Sequence, residues 1–352
     1  MKNFISFFIL ILFFYSCAEN NNIVVNEVSI KAQVVKIDSA NTFMWPKMLI
    51  GDVLYAYSGD YYVSTLTKNE WKKAEDVFKI GHGHNEFNNM VISKSEKGEL
   101  LILNRPTIGE KFLSLVKVPD ADSIAAIKDE SKWKKIDLKQ LPAFWNMGDN
   151  FCVMNDSSII IPGAPAEDMA HALSVIDYKN FKITPLDYWP DDASKPDDWQ
   201  KCRRYAERTT IFGDFKGNYL YTNGWGPLAF IFRVEGQKVN IESALSPCTF
   251  TKTTPTKRLS SCVDSERIYM LIRDSNEKGV KFEEYDMDDP YFFGNTIEVY
   301  DWNGVKQHVI HLDQYGQNIL LSEDGKTLFL LPLMSNNIQD PIIYSYDLSA
   351  IK

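Results

Sequence analysis

The segment IGHGHNEFNN, residues 80–89, carries His82, His84 and Glu86 at alternate positions. On an extended strand these three side chains would share one face of the sheet. Imidazole and carboxylate groups are common zinc ligands, so this spacing could supply half of a metal site. The alternative is a turn, in which the three side chains would point in different directions.

The glycines of this segment favour the turn. Gly81 and Gly83 permit positive φ, and two glycines so close together are more typical of a turn than of a strand. In such a turn we expect Phe87 to pack inward, with Glu86 and Asn88 hydrogen-bonding the backbone. We therefore interpret the segment as the loop that leads into an inner strand, and we predict no metal ligand here.

An acidic stretch further along the chain is a second candidate metal site. The segment KFEEYDMDDP, residues 281–290, lies in the longest insertion and follows Glu277. Its carboxylates are those of Glu283, Glu284, Asp286, Asp288 and Asp289. They could offer oxygen ligands to calcium, but their spacing lacks the glycine-centred pattern of an EF-hand loop. We expect a solvated loop that shapes a binding surface, and we predict no metal and no other cofactor.

The sequence contains none of the short motifs that mark common catalytic centres. It has no G-x-S-x-G elbow, no H-E-x-x-H, no P-loop and no G-x-G-x-x-G turn. His171, His308 and His311 are isolated within predicted strands, where a histidine is usually structural. We therefore predict no catalytic residue and favour a binding protein over an enzyme.

Composition and charge narrow the class of partner. The chain has 352 residues and a net charge of -9, and no basic run stands out. Nucleic acid needs a cationic surface, so we predict no nucleic-acid partner. Aromatic residues make up 13% of the chain, which favours sheets over helical bundles.

The first 17 residues, MKNFISFFILILFFYSC, have the pattern of an export signal. The apolar run from Phe4 to Tyr15 is too short to cross a hydrocarbon core about 30 Å thick. It ends at a small residue and Cys17, which resembles the lipobox of bacterial lipoproteins, where the cysteine is lipidated. We therefore predict a signal peptide over residues 1–17, a lipid on Cys17 and a flexible tether over residues 18–25. The alternative is an ordinary cleaved signal.

The other four cysteines do not form a motif. Cys152, Cys202, Cys248 and Cys262 include no C-x-x-C pair, so a zinc ribbon or a redox pair is excluded. An exported chain can form disulfides, and four cysteines allow three pairings, which stay open. Cys152 and Cys262 sit among apolar strand residues, where we favour buried free thiols.

One short pattern recurs six times and predicts the architecture. It consists of a polar turn, usually with Gly or Asp, followed by an apolar β run. The copies lie at residues 50–59, 96–104, 155–163, 215–224, 264–274 and 323–333. A short run precedes each turn, a second apolar run follows it, and a more polar segment often comes third. Six such four-stranded units predict an all-β, six-bladed β-propeller.

The two ends of the chain test this arrangement. The sixth unit stops one strand short, while NEVSIKAQVVKID, residues 26–38, precedes the first unit with no local partner. We predict that this N-terminal strand completes the last blade and closes the ring, which removes exposed strand edges. The propeller then covers residues 26–352, with one short surface helix near residues 120–130.

The chain resembles the TolB-like six-bladed propeller lipoproteins of the Bacteroides group. The resemblance rests on Cys17, on GHGHNEF at residues 81–87 and on IEVYDWNGVKQHVIHLD at residues 297–313. The family often has a G-x-G-P-x-E-F turn, in which His84 here replaces the proline, and an apolar strand that ends in Asp-x-x-Gly, matched by Asp301 and Gly304. The resemblance implies the propeller fold and envelope location, but no common reaction.

Propellers bind ligands in the funnel where their inner strands begin. On the predicted register that funnel is lined by Trp45, Asn88, Asn89, Trp145, Asn146, Arg204, Tyr205, Lys257, Arg258, Gln317 and Asn318. This set is polar and aromatic with a cationic bias, which suits an anionic, sugar-like or acidic peptide ligand. The alternative is a solvated channel without a ligand. The long connection at residues 187–205, with Trp189 and Trp199, is either a contact loop or a loop packed across that face.

Together these features predict a lipid-anchored β-propeller of the cell envelope that binds a protein, peptide or glycan. The anchor indicates the outer membrane, with the periplasmic and the surface-exposed side both open. The alternative is a metal-dependent hydrolase or lyase with a divalent ion in the central funnel, by analogy with other propellers. That alternative needs carboxylates converging on the axis, where the predicted register places Asn, Trp and Arg.

Overall fold

The computed structural model describes residues 25–38, 45–58, 60–81, 83, 85–104, 109–146, 148–188, 197–206, 209–223, 228–245, 258–272, 293–331 and 342–351. At residues 58, 60, 146, 202–204, 258 and 259 it describes the backbone alone. Within these residues the strands form six sheets, which are the blades of a six-bladed β-propeller. Each repeat predicted from the sequence contributes one blade, so the predicted fold class is confirmed.

Each blade is an antiparallel meander that runs from the axis outward. The inner strands are β3 (Trp45–Ile50), β8 (Met90–Lys94), β14 (Cys152–Asn155), β18 (Thr209–Gly213), β22 (Arg258–Val263) and β26 (Asn318–Leu321). The second strands are β4 (Val53–Ser58), β9 (Leu100–Asn104), β15 (Ser158–Pro165), β19 (Tyr219–Asn223), β23 (Arg267–Ile272) and β27 (Thr327–Leu331). These second strands coincide with the six repeated apolar runs.

The outer half of each blade is equally regular. The third strands are β5 (Asp60–Thr65), β11 (Ser114–Val118), β16 (Leu173–Asp177), β20 (Ala229–Glu235), β24 (Gly294–Asp301) and β28 (Ile343–Asp347). The outermost strands are β7 (Glu75–Phe78), β12 (Lys134–Asp137), β17 (Lys182–Pro185), β21 (Lys238–Ala244), β25 (Lys306–Gly316) and, in the sixth blade, β2 (Gln33–Ile37). Four more strands extend blades: β1 (Asn26–Ile30), β6 (Glu70–Trp71), β10 (Glu110–Lys111) and β13 (Ala143–Asn146).

Helical structure is sparse in the described residues. The predicted surface helix is present as the single turn Ile124–Ile127, whose N-cap Ser123 accepts a hydrogen bond from the Ala126 N–H. The other helical elements of the described residues are the 3-10 turn Glu130–Lys132 and the helix Asp198–Tyr205. None of these helices is long and apolar enough to cross a membrane.

The core is divided among the blade interfaces. Successive inner strands contact one another all the way round the ring. Six clusters of buried apolar side chains lie between neighbouring blades. Fully burying one Val, Leu, Ile or Phe side chain contributes about 1.5–3 kcal/mol, so these interfaces supply most of the stabilisation. Below, the face at which the inner strands begin is called the top face, and the opposite face the bottom face.

The N-terminal segment closes the ring, but it does so as two strands. β2 pairs antiparallel with β28, as predicted for the strand that completes the sixth blade. β1 instead adds a parallel fifth strand to the fifth blade, with Asn26 opposite His308 and Ile30 opposite Leu312. The chain crosses between the blades at residues 31–32, where the Ala32 N–H donates to Asp313 Oδ1 at 2.9 Å. The chain therefore enters the propeller at the bottom end of the fifth blade.

Candidate functional site

The glycine-rich segment that leads into the second blade is a tight turn. The Gly81 N–H donates to the Phe87 carbonyl at 3.2 Å, and the Phe87 N–H donates to the Lys79 carbonyl at 2.9 Å. Glu86 Oε2 accepts a hydrogen bond from the Gly83 N–H at 2.7 Å. The expected role of Glu86 in bonding the backbone is thus confirmed.

The residues that follow the turn are fixed by packing. Phe87 is buried and lies 6.2 Å from Phe78 and 6.3 Å from Trp133 between ring centroids, so the expected inward packing is confirmed. Asn88 contributes its backbone N–H, which donates to Asn104 Oδ1 at 3.2 Å. His82 and His84 lie outside the described residues.

This turn forms one wall of a pocket of about 240 Å³ on the top face, between the first and second blades. Its lining residues are Lys47, Tyr57, Tyr61, Phe78, Lys79, Ile80, Phe87, Asn88, Asn89, Met90, Val91 and Asp149. The buried side chains of this set form an apolar floor, and the exposed ones form a mixed aromatic and polar rim. We call it the top-face pocket.

The floor of the top-face pocket is fixed across the blade interface. The Tyr61 hydroxyl donates to the Met90 carbonyl at 2.6 Å, which joins the third strand of one blade to the inner strand of the next. Tyr57 lies beside Tyr61, with ring centroids 5.0 Å apart and planes tilted by 56°. Tyr57 is 37% exposed and Ile80 is 55% exposed, so both present apolar surface to solvent.

The rim of the pocket carries unpaired charge. Lys47, Lys79 and Asp149 are all exposed at its edge. Among the described residues, neither lysine has a carboxylate within ion-pairing distance. The Asp149 N–H donates to the Thr209 carbonyl at 3.0 Å, which fixes its backbone and leaves its carboxylate at the rim. The lining thus has two cations and one anion, in a chain whose net charge is -9.

The predicted funnel residues are spread over several environments. Asn88 and Asn89 line the top-face pocket. Trp45 is partly buried and lies opposite Tyr57 in the first blade. Gln317 and Asn318 are partly buried at the start of the inner strand of the sixth blade, and Gln317 Oε1 is buried without a hydrogen-bond partner among the described residues.

Trp145 belongs to a small extension above the third blade. It lies on β13, which pairs with the end of β15, and its ring meets Trp199 edge-on at 4.9 Å between centroids. Its Nε1 is buried and has no hydrogen-bond partner in the described part of the chain. The backbone of Asn146 continues the same strand, opposite Gly163.

Tyr205 differs from its expected role as a funnel residue. Its side chain is 1% exposed and packs in the cluster between the third and fourth blades, so it has no surface to offer a ligand. Its carbonyl accepts hydrogen bonds from Tyr221 Oη and from Thr209 Oγ1. The prediction placed Tyr205 just before an inner strand, at the funnel. It lies instead at the end of the helix Asp198–Tyr205, which carries it into the core. Arg204 and Arg258 are described by backbone alone, and Lys257 lies outside the described residues.

Several pocket residues were missed at the sequence level, chiefly Lys47, Tyr57, Lys79 and Asp149. They come from two different strand ends and two loops, and no spacing in the sequence relates them. The one available signal was the tyrosine-rich hairpin YAYSGDYYV, residues 55–63, because closely spaced tyrosines at a strand end often reach a surface.

A second, larger cleft of about 530 Å³ lies on the bottom face between the sixth and first blades. It is lined by turns that include Asp52, Lys68, Glu323, Asp324 and Lys326. Two of its acidic groups already bind the backbone: the Gly51 N–H donates to Glu323 Oε2 at 3.0 Å, and the Lys326 N–H donates to Asp324 Oδ1 at 3.0 Å. The carboxylates here stabilise turns.

The two cysteines with described side chains are free and buried, as favoured from the sequence. Burial raises the pKa of Cys152 to about 12 and also raises the pKa of Cys262. Both thiols stay protonated at neutral pH and are poor nucleophiles. The side chain of Cys202 and all of Cys248 lie outside the described part.

The described histidines have structural surroundings. His171 lies 3.3 Å from Asp168 and 3.6 Å from Asp187, and His311 lies 3.7 Å from Glu27 on the added strand β1. Burial lowers the pKa of His308. The described residues contain no group of three His, Cys, Asp or Glu side chains placed to hold a metal, and the acidic stretch at residues 281–290 lies outside them.

Comparison with known proteins adds only the general fold. No protein family profile and no curated sequence matches the chain. It is similar to the calcium-binding protein regucalcin from Agrobacterium tumefaciens, at 9% identity and a TM-score of 0.46, over 92% of this chain and 95% of that one. A gluconolactonase from Xanthomonas campestris gives 9% identity and a TM-score of 0.47, over 90% and 89%. A protein of unknown function from Bacteroides thetaiotaomicron gives 11% and 0.46, over 90% and 75%. Likenesses this distant carry no argument about function.

Proposed function

We propose that this chain is a lipid-anchored, TolB-like β-propeller of the cell envelope, and that it binds a protein, peptide or glycan at its top face. The observation that carries the proposal is the top-face pocket, with its apolar floor and its rim of exposed aromatic, polar and charged side chains. Concave sites with an apolar base and a few convergent polar groups are the usual form of a ligand site.

The path of the N-terminal segment supports an anchor on the other side. β1 starts at the bottom end of the fifth blade and runs toward the top face. The proposed tether over residues 18–25 spans at most about 28 Å when extended. A lipid on Cys17 would therefore hold the bottom face toward the membrane and leave the pocket facing away from it.

The pocket is built to bind without large rearrangement. Its floor is packed within the cluster between the first and second blades, and the bond from Tyr61 to Met90 holds the two blades together beneath it. A site that is already ordered loses less conformational entropy on binding. The ordered floor therefore favours a ligand-binding role for the top face.

Two measurements test the proposal. Cells expressing the full chain are labelled with an alkyne-bearing fatty acid, and we expect label on the wild type and none on Cys17→Ala. The purified protein is then applied to arrays of envelope peptides and glycans, and we expect a signal that Tyr57→Ala loses while its melting temperature is unchanged. Equal labelling of both proteins would refute the anchor, and an array pattern shared with Tyr57→Ala would refute binding at the pocket.

A further inference from the structure

We infer that the top-face pocket takes a saccharide unit that carries a carboxylate, such as a uronic acid within a polysaccharide. This inference rests on the proposed binding function and specifies its ligand. It follows from the side chains that are exposed at the rim, since the floor residues are buried by the protein itself.

The rim combines an exposed aromatic side chain with side-chain amides. Tyr57 leaves part of its ring exposed, and Ile80 continues the apolar surface beside it. A pyranose ring has an apolar C–H face that packs on such surface and an edge of hydroxyls that need donors and acceptors. Asn88 and Asn89 lie at the rim, and a side-chain amide supplies both a donor and an acceptor.

The charge of the rim favours an acidic ligand. Lys47 and Lys79 present two ammonium groups without an ion-pair partner among the described residues. A neutral sugar would leave both unmatched, whereas a carboxylate would form charge-assisted hydrogen bonds with them. A purely apolar peptide segment would instead cover the two lysines and Asp149 without satisfying them, which is costly.

Asp149 limits how much negative charge the ligand carries. Its carboxylate accepts hydrogen bonds only, so it suits sugar hydroxyls and repels a second nearby anion. The three charged groups together fit a unit with one carboxylate and several hydroxyls. A densely charged ligand, such as a sulfated or phosphorylated polymer, fits this rim less well.

The experiment measures binding of defined oligosaccharides to the protein without its anchor, residues 18–352. The probes are oligomers of galacturonate, of alginate and of hyaluronan, each compared with its carboxyl-reduced, neutral counterpart in calorimetry. We expect at least one acidic oligomer to bind, its reduced form to bind at least about tenfold more weakly, and the affinity to fall with added salt.

Matched variants locate the interaction. Lys47→Gln with Lys79→Gln removes two positive charges from the rim, and Lys68→Gln with Lys326→Gln removes two from the bottom cleft. We expect about a tenfold loss of affinity for the first pair and none for the second, with equal melting temperatures. Binding of acidic and reduced oligomers alike would overturn the acidic specificity. Equal losses in the two pairs would show that the positive charge does not act from the pocket and would overturn the assignment of the ligand to this site. No binding of any acidic oligomer would overturn this inference, while the arrays with Tyr57→Ala decide the broader proposal separately.

Discussion

At the scale of single residues, one hydrogen bond joins the first and second blades beneath the pocket. The Tyr61 hydroxyl is held against the Met90 carbonyl, and the ring itself is only 9% exposed. Its neighbour Tyr57 is far more exposed and lies on the rim. The two tyrosines of one hairpin thus have different tasks, one structural and one available to a ligand.

Replacing Tyr61 by Phe should destabilise the protein, because the buried Met90 carbonyl loses its donor while the packing is retained. We expect a loss of about 1 kcal/mol in the free energy of unfolding, measured by urea denaturation. Tyr57→Phe is the control, since it removes a hydroxyl from the same hairpin at an exposed position. A loss of the same size in both variants would show that the bond between blades contributes nothing.

At the scale of elements, the third blade carries the small extension formed by β10 and β13, which is not part of the four-stranded repeat. β15 runs beyond the length of its partners and pairs through its last residues with β13, which in turn pairs with β10. Gly163 makes this approach possible: its φ is +123°, and a methyl group on it would lie 1.9 Å from the Trp145 carbonyl oxygen. The pair of Trp145 and Trp199 is positioned by this contact.

Gly163→Ala should therefore disrupt the pairing of β13 with β15 in this extension. We expect a loss of more than about 1 kcal/mol in stability and a change in tryptophan fluorescence as Trp145 moves. Gly217→Ala is the matched control, because Gly217 also has positive φ, at +96°, but has no atom within 4 Å of the added methyl group. If the two variants lose the same stability and keep the same fluorescence, close approach at Gly163 is not what holds β13.

Most elements of the blades could be predicted from the sequence, and most of the pocket could not. Runs such as residues 100–103 and 328–331 are apolar throughout and flanked by polar residues or turns, which identifies buried strands whatever lies around them. The pocket arises where loops of different blades meet, so its residues share no periodic spacing. Tyr205 shows the same limit, because a helix that the strand pattern does not contain displaces it from the funnel into the core.

At the scale of the whole molecule, the ring is held shut by its N-terminal segment. Val35 on β2 is buried between the sixth and first blades, and β6 of the first blade pairs with the outer edge of β2. Val28 and Ile30 on β1 pack more loosely, against the cluster between the fifth and sixth blades. We therefore assign closure to β2 and a supporting role to β1.

Truncation separates these roles. Relative to residues 18–352, a protein that starts at residue 32 lacks β1 and should fold with a lowered melting temperature. A protein that starts at residue 39 lacks β2 as well, and we expect it to aggregate, since the sixth blade then exposes an unpaired edge. Thermal melts with light scattering compare the three proteins. A soluble protein that starts at residue 39 and keeps the full melting temperature would contradict the assignment of closure to β2.

The pairing of β2 with β28, which closes the ring, affects the order in which the protein folds. Ser345 Oγ donates to the Gln33 carbonyl, a contact between residues 312 positions apart in the chain. Such non-local pairing forms slowly, because a long loop must close before any contact is gained. Because β2 precedes β28 by about 300 residues in the chain, we expect β2 to stay without its sheet partner until the sixth blade forms. Until then the edge groups of β2 are open to pairing with another chain.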